Sequence, residues 1–396
     1  MIKKLKSLYS LLPLNVRNQV KIFGFSFLRS LSFLNKVGIL TSKSYVALTI
    51  YNVEKTLIKN NQNIKYYPLI EKDSKVTKPA IHLDGQKIDA IQPLITKTET
   101  VILDIVDDEF SLRNNHLLDK KLNIIDEGGM EYKTMPVYRQ ILSTTIKLQG
   151  TVAYLSNVDP LNYYHWMCRT LPLLRIYQKF FDLKEIDFFY VTQSPLFNFH
   201  IESLTKAGIA KRQIVREACT ADRILAAIST RTEIFGSAPI SRENYLFTRN
   251  LFYPNCKTYH LKSKRIYVSR GNAKRRKVIN ELQIINLLEN YGFEAVKMDN
   301  NTLQQQADIF FQAEAIVAPH GAALTNLLFI QPGTKVIELM PDGYVNNCFY
   351  VLANYGEAEY FYVRGENTKQ NNINQHCRDL YVDVAKLDKI CQKASL

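Results

Sequence analysis

Several familiar signatures are missing from this chain of 396 residues. It has no G-x-G-x-x-G, no G-x-x-x-x-G-K-[ST], no G-x-S-x-G and no H-E-x-x-H. The usual dinucleotide fingerprint, the P-loop, the hydrolase nucleophile elbow and the zincin helix are therefore excluded as sequence motifs. No D-x-D occurs either, so no metal is expected to hold a nucleotide sugar through that motif, and no essential cofactor or metal site is expected. Cysteine is sparse: the six (168, 219, 256, 348, 377, 391) form no C-x-x-C pair. That spacing fits neither a zinc site nor a disulfide-dense secreted scaffold and points to buried free thiols in a reducing cytosol. Long apolar runs are lacking as well. Ile22–Leu34 contains Arg29 and spans only 13 residues, short of the ~20 that a membrane-crossing helix needs.

Acidic residues are absent from two stretches. Residues 1–53 hold eight Lys and Arg and no acid, and residues 244–280 hold ten and no acid. Of the formal net charge of +14, these segments account for +18, leaving −4 on the rest. The positive charge is thus local, and it suggests anionic partners. The first stretch alternates Leu, Phe and Ile with Lys and Arg. It reads either as a helix lying on an anionic leaflet or as an amphipathic helix packed on the protein itself.

From about residue 151 the pattern alternates strand and helix. Strands are expected at Thr151–Leu155, Ile186–Thr192, Arg265–Arg270, Phe293–Met298, Ala315–Ala318, Lys335–Met340 and Glu359–Val363. Helices are expected at Tyr163–Phe180, Val278–Tyr291, Gly321–Ile330 and Asn346–Tyr355. Another opens at Thr302, where Gln305 completes a capping box. Such alternation specifies a parallel sheet with right-handed crossovers, a Rossmann-like α/β layer.

Ligands of open α/β sheets bind beyond the carboxyl ends of the strands. Three groups fall there: Arg270, His320 and Glu338. Arg270 can clamp a phosphate bidentately. His320 precedes Gly321 and Ala322, small residues at a helix start where a pyrophosphate can approach backbone N–H groups. Glu338 can accept from ribose hydroxyls, Thr325 and Asn326 can add polar contacts, and Arg275 or Arg276 can close over the phosphates. Each residue alone also fits a structural role; the three at adjacent strand ends fit a nucleotide diphosphate. A second group, Asn162 to Trp166 with Asp159 nearby, opens the helix at 163. There His165 can stay neutral and accept a proton, or the aromatics can simply anchor the helix.

The segments IYVSRGNAKRRKVINE (266–281), APHGAALTNLLFIQPGTKVIELMP (318–341) and NYYHWMCRTLPLLRIYQ (162–178) together resemble glycosyltransferase family 61. The resemblance covers roughly residues 150–365 and leaves residues 1–149 without a counterpart. It implies a GT-B-like architecture, with two Rossmann-like lobes facing a central cleft and the donor on the C-terminal lobe. It also implies inverting transfer from a nucleotide sugar without an essential D-x-D metal. Family roles fall on Arg270, His320, Gly321, Asn326 and Glu338 on the donor side, and on Asn162 and His165 on the cleft side. Ala323 departs from the glycine often found there. On this reading the chain divides into a basic helical extension (1–45), an acceptor-side lobe (46–255), a donor lobe (256–365) and a tail (366–396) that packs back on the body.

The expected catalytic residues are His165 as base, with Arg270 and His320 at the leaving group. Gly321, Ala322, Thr325, Asn326, Glu338, Arg275 and Arg276 are expected to bind donor, and Asn162, Asp159 and Trp166 to face the acceptor. The expected partners are a nucleotide-sugar donor, a glycan or lipid-linked glycan acceptor and an anionic membrane surface at the inner face of the cytoplasmic membrane. Nucleic acid is not expected, because half of the ten charges in the second basic stretch fall in Arg270–Lys277. A non-catalytic scaffold with the same fold is the alternative.

Overall fold

The structure, a computed structural model, describes residues 144–155, 160–231, 240–254, 262–271, 273, 275–341, 344–367 and 378–396, with shorter stretches between 45 and 141. The basic extension, Asp159, Cys256 and Cys377 lie outside the described residues.

Two large sheets organise the chain. We label β1 (Ile64–Ile70), β2 (Glu99–Ile105), β3 (Ile146–Tyr154), β4 (Phe188–Tyr190), β5 (Ile214–Val215), β6 (Cys219–Arg231), β7 (Lys264–Val268), β8 (Phe293–Val296), β9 (Ala313–Pro319), β10 (Lys335–Met340) and β11 (Glu359–Arg364). In the first sheet β5, β4, β3 and β6 run parallel in that spatial order. Antiparallel β2 then pairs with β6, and β1 with β2. The second sheet is wholly parallel in the order β8-β7-β9-β10-β11. Its central strands are nearly all buried, as expected of a parallel sheet covered on both faces. The fold class is therefore mixed α/β with parallel sheets.

Helices join the sheets through one apolar core. The segment from Tyr163 to Tyr177 and the helix Arg242–Phe252 pack against residues 324–330 and the helix Cys348–Tyr355. Leu324, Leu327, Leu328 and Phe329 are fully buried there, each worth ~1.5–3 kcal/mol of transfer free energy. Residues 78–81 reach across to the far edge of the second sheet, where Tyr362 N donates to Ile81 O and Tyr350 Oη to Lys78 O. The C-terminal helix Val384–Lys393 buries Leu387, Ile390 and Cys391 against the sheet's other face.

Three expected helices change and one unexpected helix appears. The helix expected from Val278 starts at Glu281. Residues 278–280 are held instead by the 380–382 segment, with a bridge from Val278 to Leu380 and two hydrogen bonds between Asn280 and Val382. The helix expected over 163–180 is α at Tyr163–His165, π at Trp166–Thr170 and α again at Leu173–Tyr177. Pro172, which has no N–H to donate, sits at the last junction. The helix expected at 321–330 is a tighter 3₁₀ helix, Ala322–Phe329. The helix Arg242–Phe252, capped by Ser241, arises in a stretch noted only for its charge. The capping box is present: Thr302 Oγ1 accepts from Gln305 N at 3.2 Å and Gln305 Oε1 from Thr302 N at 2.8 Å.

Among the described residues no helix is long and apolar enough to cross a membrane. The four described cysteines are buried free thiols.

Candidate active site

In the order β8-β7-β9-β10-β11 the chain changes direction between β7 and β9, and the crevice at such a switch point is where these sheets take ligands. β7 leads through Ser269 to Arg270, and β9 ends at Pro319 before His320. The two ends touch: Arg270 Nη1 donates to the His320 carbonyl at 3.1 Å. Gly321 has an extended backbone (φ 175°) that any residue could adopt. Its lack of a side chain matters through proximity, since a Cβ would stand 1.8 Å from Arg270 Nη1.

Two guanidinium groups crowd this crevice. Burial, and then the neighbouring Arg276, bring the Arg270 pKa down to about 10, against the opposing pull of Asp299, Asp379 and Tyr267. The Nε atoms of Arg270 and Arg276 are buried without a hydrogen-bond partner among the described residues. Arg276 adopts a left-handed backbone (φ 55°) and lies over the Tyr344 ring at 5.9 Å, whereas Arg275 is exposed. Two like charges that feel each other, with unmet donors, are the electrostatic complement of a multiply charged anion.

Behind the crevice, His320 Nδ1 meets Glu338 Oε1 in a buried contact. Tyr360 Oη donates to the other carboxylate oxygen, Oε2, at 2.5 Å. Burial, and then Glu338, push the Tyr360 pKa well up. Glu338, expected to accept from ribose hydroxyls, is fully buried with one protein partner on each of its oxygens. The His320 ring packs on Phe349 (4.9 Å between centroids) and Tyr344 (5.4 Å).

The 3₁₀ helix supplies the crevice floor. Its first bond runs from Leu324 N to Gly321 O at 2.9 Å, so the N–H groups of Ala322 and Ala323 precede it. Ala322 is exposed. Asn326 is fully buried and bonded within the protein: its Oδ1 accepts from Tyr163 Oη at 2.6 Å, and its Nδ2 donates to Gln306 at 3.1 Å. Asn326 thus ties Tyr163 and the helix Leu303–Phe311, which carries Gln306, to the 3₁₀ helix. Thr325 Oγ1 is buried with no partner among the described residues.

The 162–166 segment follows β3 and meets this floor. Asn162 is the N-cap: its Oδ1 accepts from Tyr164 N at 3.0 Å and His165 N at 3.4 Å. Tyr164 stacks edge-on against both His165 (5.7 Å) and Phe349 (5.8 Å), which links His165 to His320 through two rings. Trp166 is corrected from an acceptor contact to a core residue; it is fully buried, its Nε1 donates to Ser203 Oγ at 2.9 Å, and it packs on His200. Burial, and then Arg169, lower the His165 pKa to about 4. Its Nδ1 is buried without a partner among the described residues. An imidazole so perturbed is a weak proton acceptor.

Arg169, Tyr344, Phe349 and Tyr360 lie outside the residues to which the sequence points. The usable signal for Tyr360 was its strand register, which the sequence pattern alone does not set.

Burial also pushes His116 to about 4 and lowers His200. A histidine whose folded pKa lies below its unfolded value of 6.5 binds fewer protons when folded. Its contribution to stability is present above 6.5 and is lost as pH falls toward 4. The melting temperature should therefore drop across that window, and His165→Gln should flatten the slope. A melting temperature constant from pH 7 to 4.5 would contradict the burial of these rings.

The fold places the chain among α/β proteins with an open parallel sheet, and Arg270 lies at its switch point. Residues 163–337 match the family model described as Glycosyltransferase 61, which supports assigning this region to glycosyltransferase family 61. No curated protein matches the chain.

Proposed function

We propose that the protein is an inverting glycosyltransferase of the GT-B type. It moves a sugar from a nucleotide-diphosphate donor, with a UDP-sugar favoured, to a hydroxyl of a growing bacterial surface glycan such as capsular polysaccharide or lipopolysaccharide. The observation that carries this reading is the Arg270–Arg276 pair at the switch point, inside the family-matched region, with both Nε atoms buried and unpartnered among the described residues.

In one displacement, the acceptor oxygen attacks the anomeric carbon as the bond to the β-phosphate breaks. The departing diphosphate gathers negative charge, which Arg270, Arg276 and the N–H groups of Ala322 and Ala323 stabilise. No metal bound through D-x-D takes part on this reading. The lobe boundaries 46–255 and 256–365, and a site of action at the inner membrane face through residues 1–45, belong to the same proposal.

A nucleic-acid role for the 244–280 stretch is disfavoured by where its charges go. Arg249 donates to the carbonyls of Leu328 and Ile330, Lys262 to Pro332, and Arg265 to Tyr291 and Glu314. Those cations serve the fold rather than an open phosphate-tracking face.

A thermal-shift panel of nucleotide sugars tests the proposal. The true donor at 100 times its Kd should stabilise the fold by about 2.7 kcal/mol and raise the melting temperature by several degrees, while free sugars should not. If no nucleotide sugar shifts the transition, the proposal fails. Donor hydrolysis by the wild-type protein would exclude the non-catalytic scaffold.

A further inference from the structure

We propose that Tyr360, Glu338 and His320 form a buried relay that aims His320 Nε2 at the acceptor hydroxyl, making His320 the catalytic base and Glu338 and Tyr360 its positioning residues. This deepens the transferase reading and rests on it.

The register of the second sheet builds the relay. Glu338 on β10 pairs with Ala318 on β9 and with Tyr362 on β11. His320 lies two residues beyond Ala318, and Tyr360 two residues before Tyr362. With a side-chain period of two, positions 320, 338 and 360 therefore project from one face of the sheet. That face is the one turned toward the helical junction with the first sheet, since Ala318, Val336, Met340, Tyr360 and Tyr362 all belong to the core there.

The hydrogen bonds then dictate the tautomer. Tyr360 Oη has one proton and gives it to Glu338 Oε2. In the relay proposed here Glu338 acts as a carboxylate, so its remaining oxygen, Oε1, accepts and His320 Nδ1 carries the hydrogen in that contact. The lone pair of a neutral imidazole is then left on Nε2. The carboxylate can neither turn nor be reached by solvent, because Glu338 is fully buried and Tyr360 closes its far side. Orientation of a base by a third group is the pattern by which such bases are recognised.

His165 competes for the role and lacks these supports. Its only described neighbours of consequence are Arg169, which opposes a second positive charge, and the Tyr164 ring. The diphosphate already has Arg270 and Arg276 as cations, so His320 is not needed to supply charge. In the step assigned here, the acceptor O–H proton passes to His320 Nε2 as the new C–O bond forms at the anomeric carbon. The electron pair of the breaking C–O bond leaves with the nucleoside diphosphate, and His320 returns the proton to solvent afterwards.

The test uses the full chain. Tyr360→Phe removes one hydroxyl and keeps the ring. It should lower kcat about 10- to 100-fold, in the range found when an outer partner of an active group is removed, with donor KM changed less than threefold. Replacing His320 itself by Ala should cost ~10²–10⁴-fold, and His165→Ala less than tenfold. A Tyr360→Phe enzyme with wild-type kcat, or a His165→Ala loss exceeding that of His320→Ala, overturns the proposal. Nitrogen-15 NMR of the histidine rings supplies a readout that needs no activity. His320 should carry its proton on Nδ1, with a downfield resonance that disappears in Glu338→Gln, and a proton on Nε2 instead overturns the relay. If the wild-type protein transfers from no nucleotide sugar, the transferase reading falls, and the tautomer still decides the relay.

Discussion

Arg270→Ala should reduce sugar transfer by about 10²–10³-fold, the cost of removing one preorganised group that stabilises developing charge. The melting temperature should scarcely move. The stability side is a near cancellation. The substitution loses one hydrogen bond to the His320 carbonyl, worth about 1 kcal/mol net, but it also removes a buried cation that feels the charge of Arg276 and carries an unmet Nε donor. The catalytic side has no such offset, because the anion that would satisfy both guanidiniums loses one of the two. Arg270→Lys should recover only part of the rate, since an ammonium presents a point charge where the guanidinium presents a fork. Initial rates with the donor found by thermal shift, together with a melting curve, check the expectation. Near-wild-type turnover in Arg270→Ala would remove the residue from the site.

Arg270, His320 and Glu338 are legible in the sequence because open parallel sheets place ligands at carboxyl ends, and the strands leading to or carrying these residues are short apolar runs. Lys335–Met340 matches its sequence-read bounds, and the capping box at Thr302 is present as a local pattern should be. What escaped the sequence was everything set by contact between distant segments. Glu338 reads as an acceptor for ribose hydroxyls, but Tyr360 on the next strand and His320, just beyond the end of the previous one, engage its two oxygens. Trp166 reads either as an acceptor-side residue or as a helix anchor, and the π turn that begins there, with Ser203 far along the chain, draws it into the core. Asn326 looked like a ligand donor until Tyr163 and Gln306 claimed its amide. In each case a polar side chain near the site serves another side chain, and only register and packing between elements decide which.

Gly321→Ala should disable the enzyme about as thoroughly as Arg270→Ala while altering neither residue's chemistry. The backbone at 321 is extended (φ 175°, ψ 169°), so an alanine fits there without conformational strain. The difficulty is space: the new Cβ would lie 1.8 Å from Arg270 Nη1 and 3.0 Å from its Cζ. The far end of a flexible side chain gives way more readily than backbone, so the guanidinium would swing out and its bond to the His320 carbonyl would break. Stability should change little, because the movement ends at a partly accessible crevice. Transfer should fall by ~10²-fold or more, as for loss of a charge-stabilising group. The double variant Gly321→Ala/Arg270→Ala should be scarcely worse than either single one, since both remove the same interaction and coupled positions do not add. Rates multiplying in the double variant, or a Gly321→Ala enzyme as fast as wild type, would show that the seat of Arg270 on Gly321 has no part in the reaction.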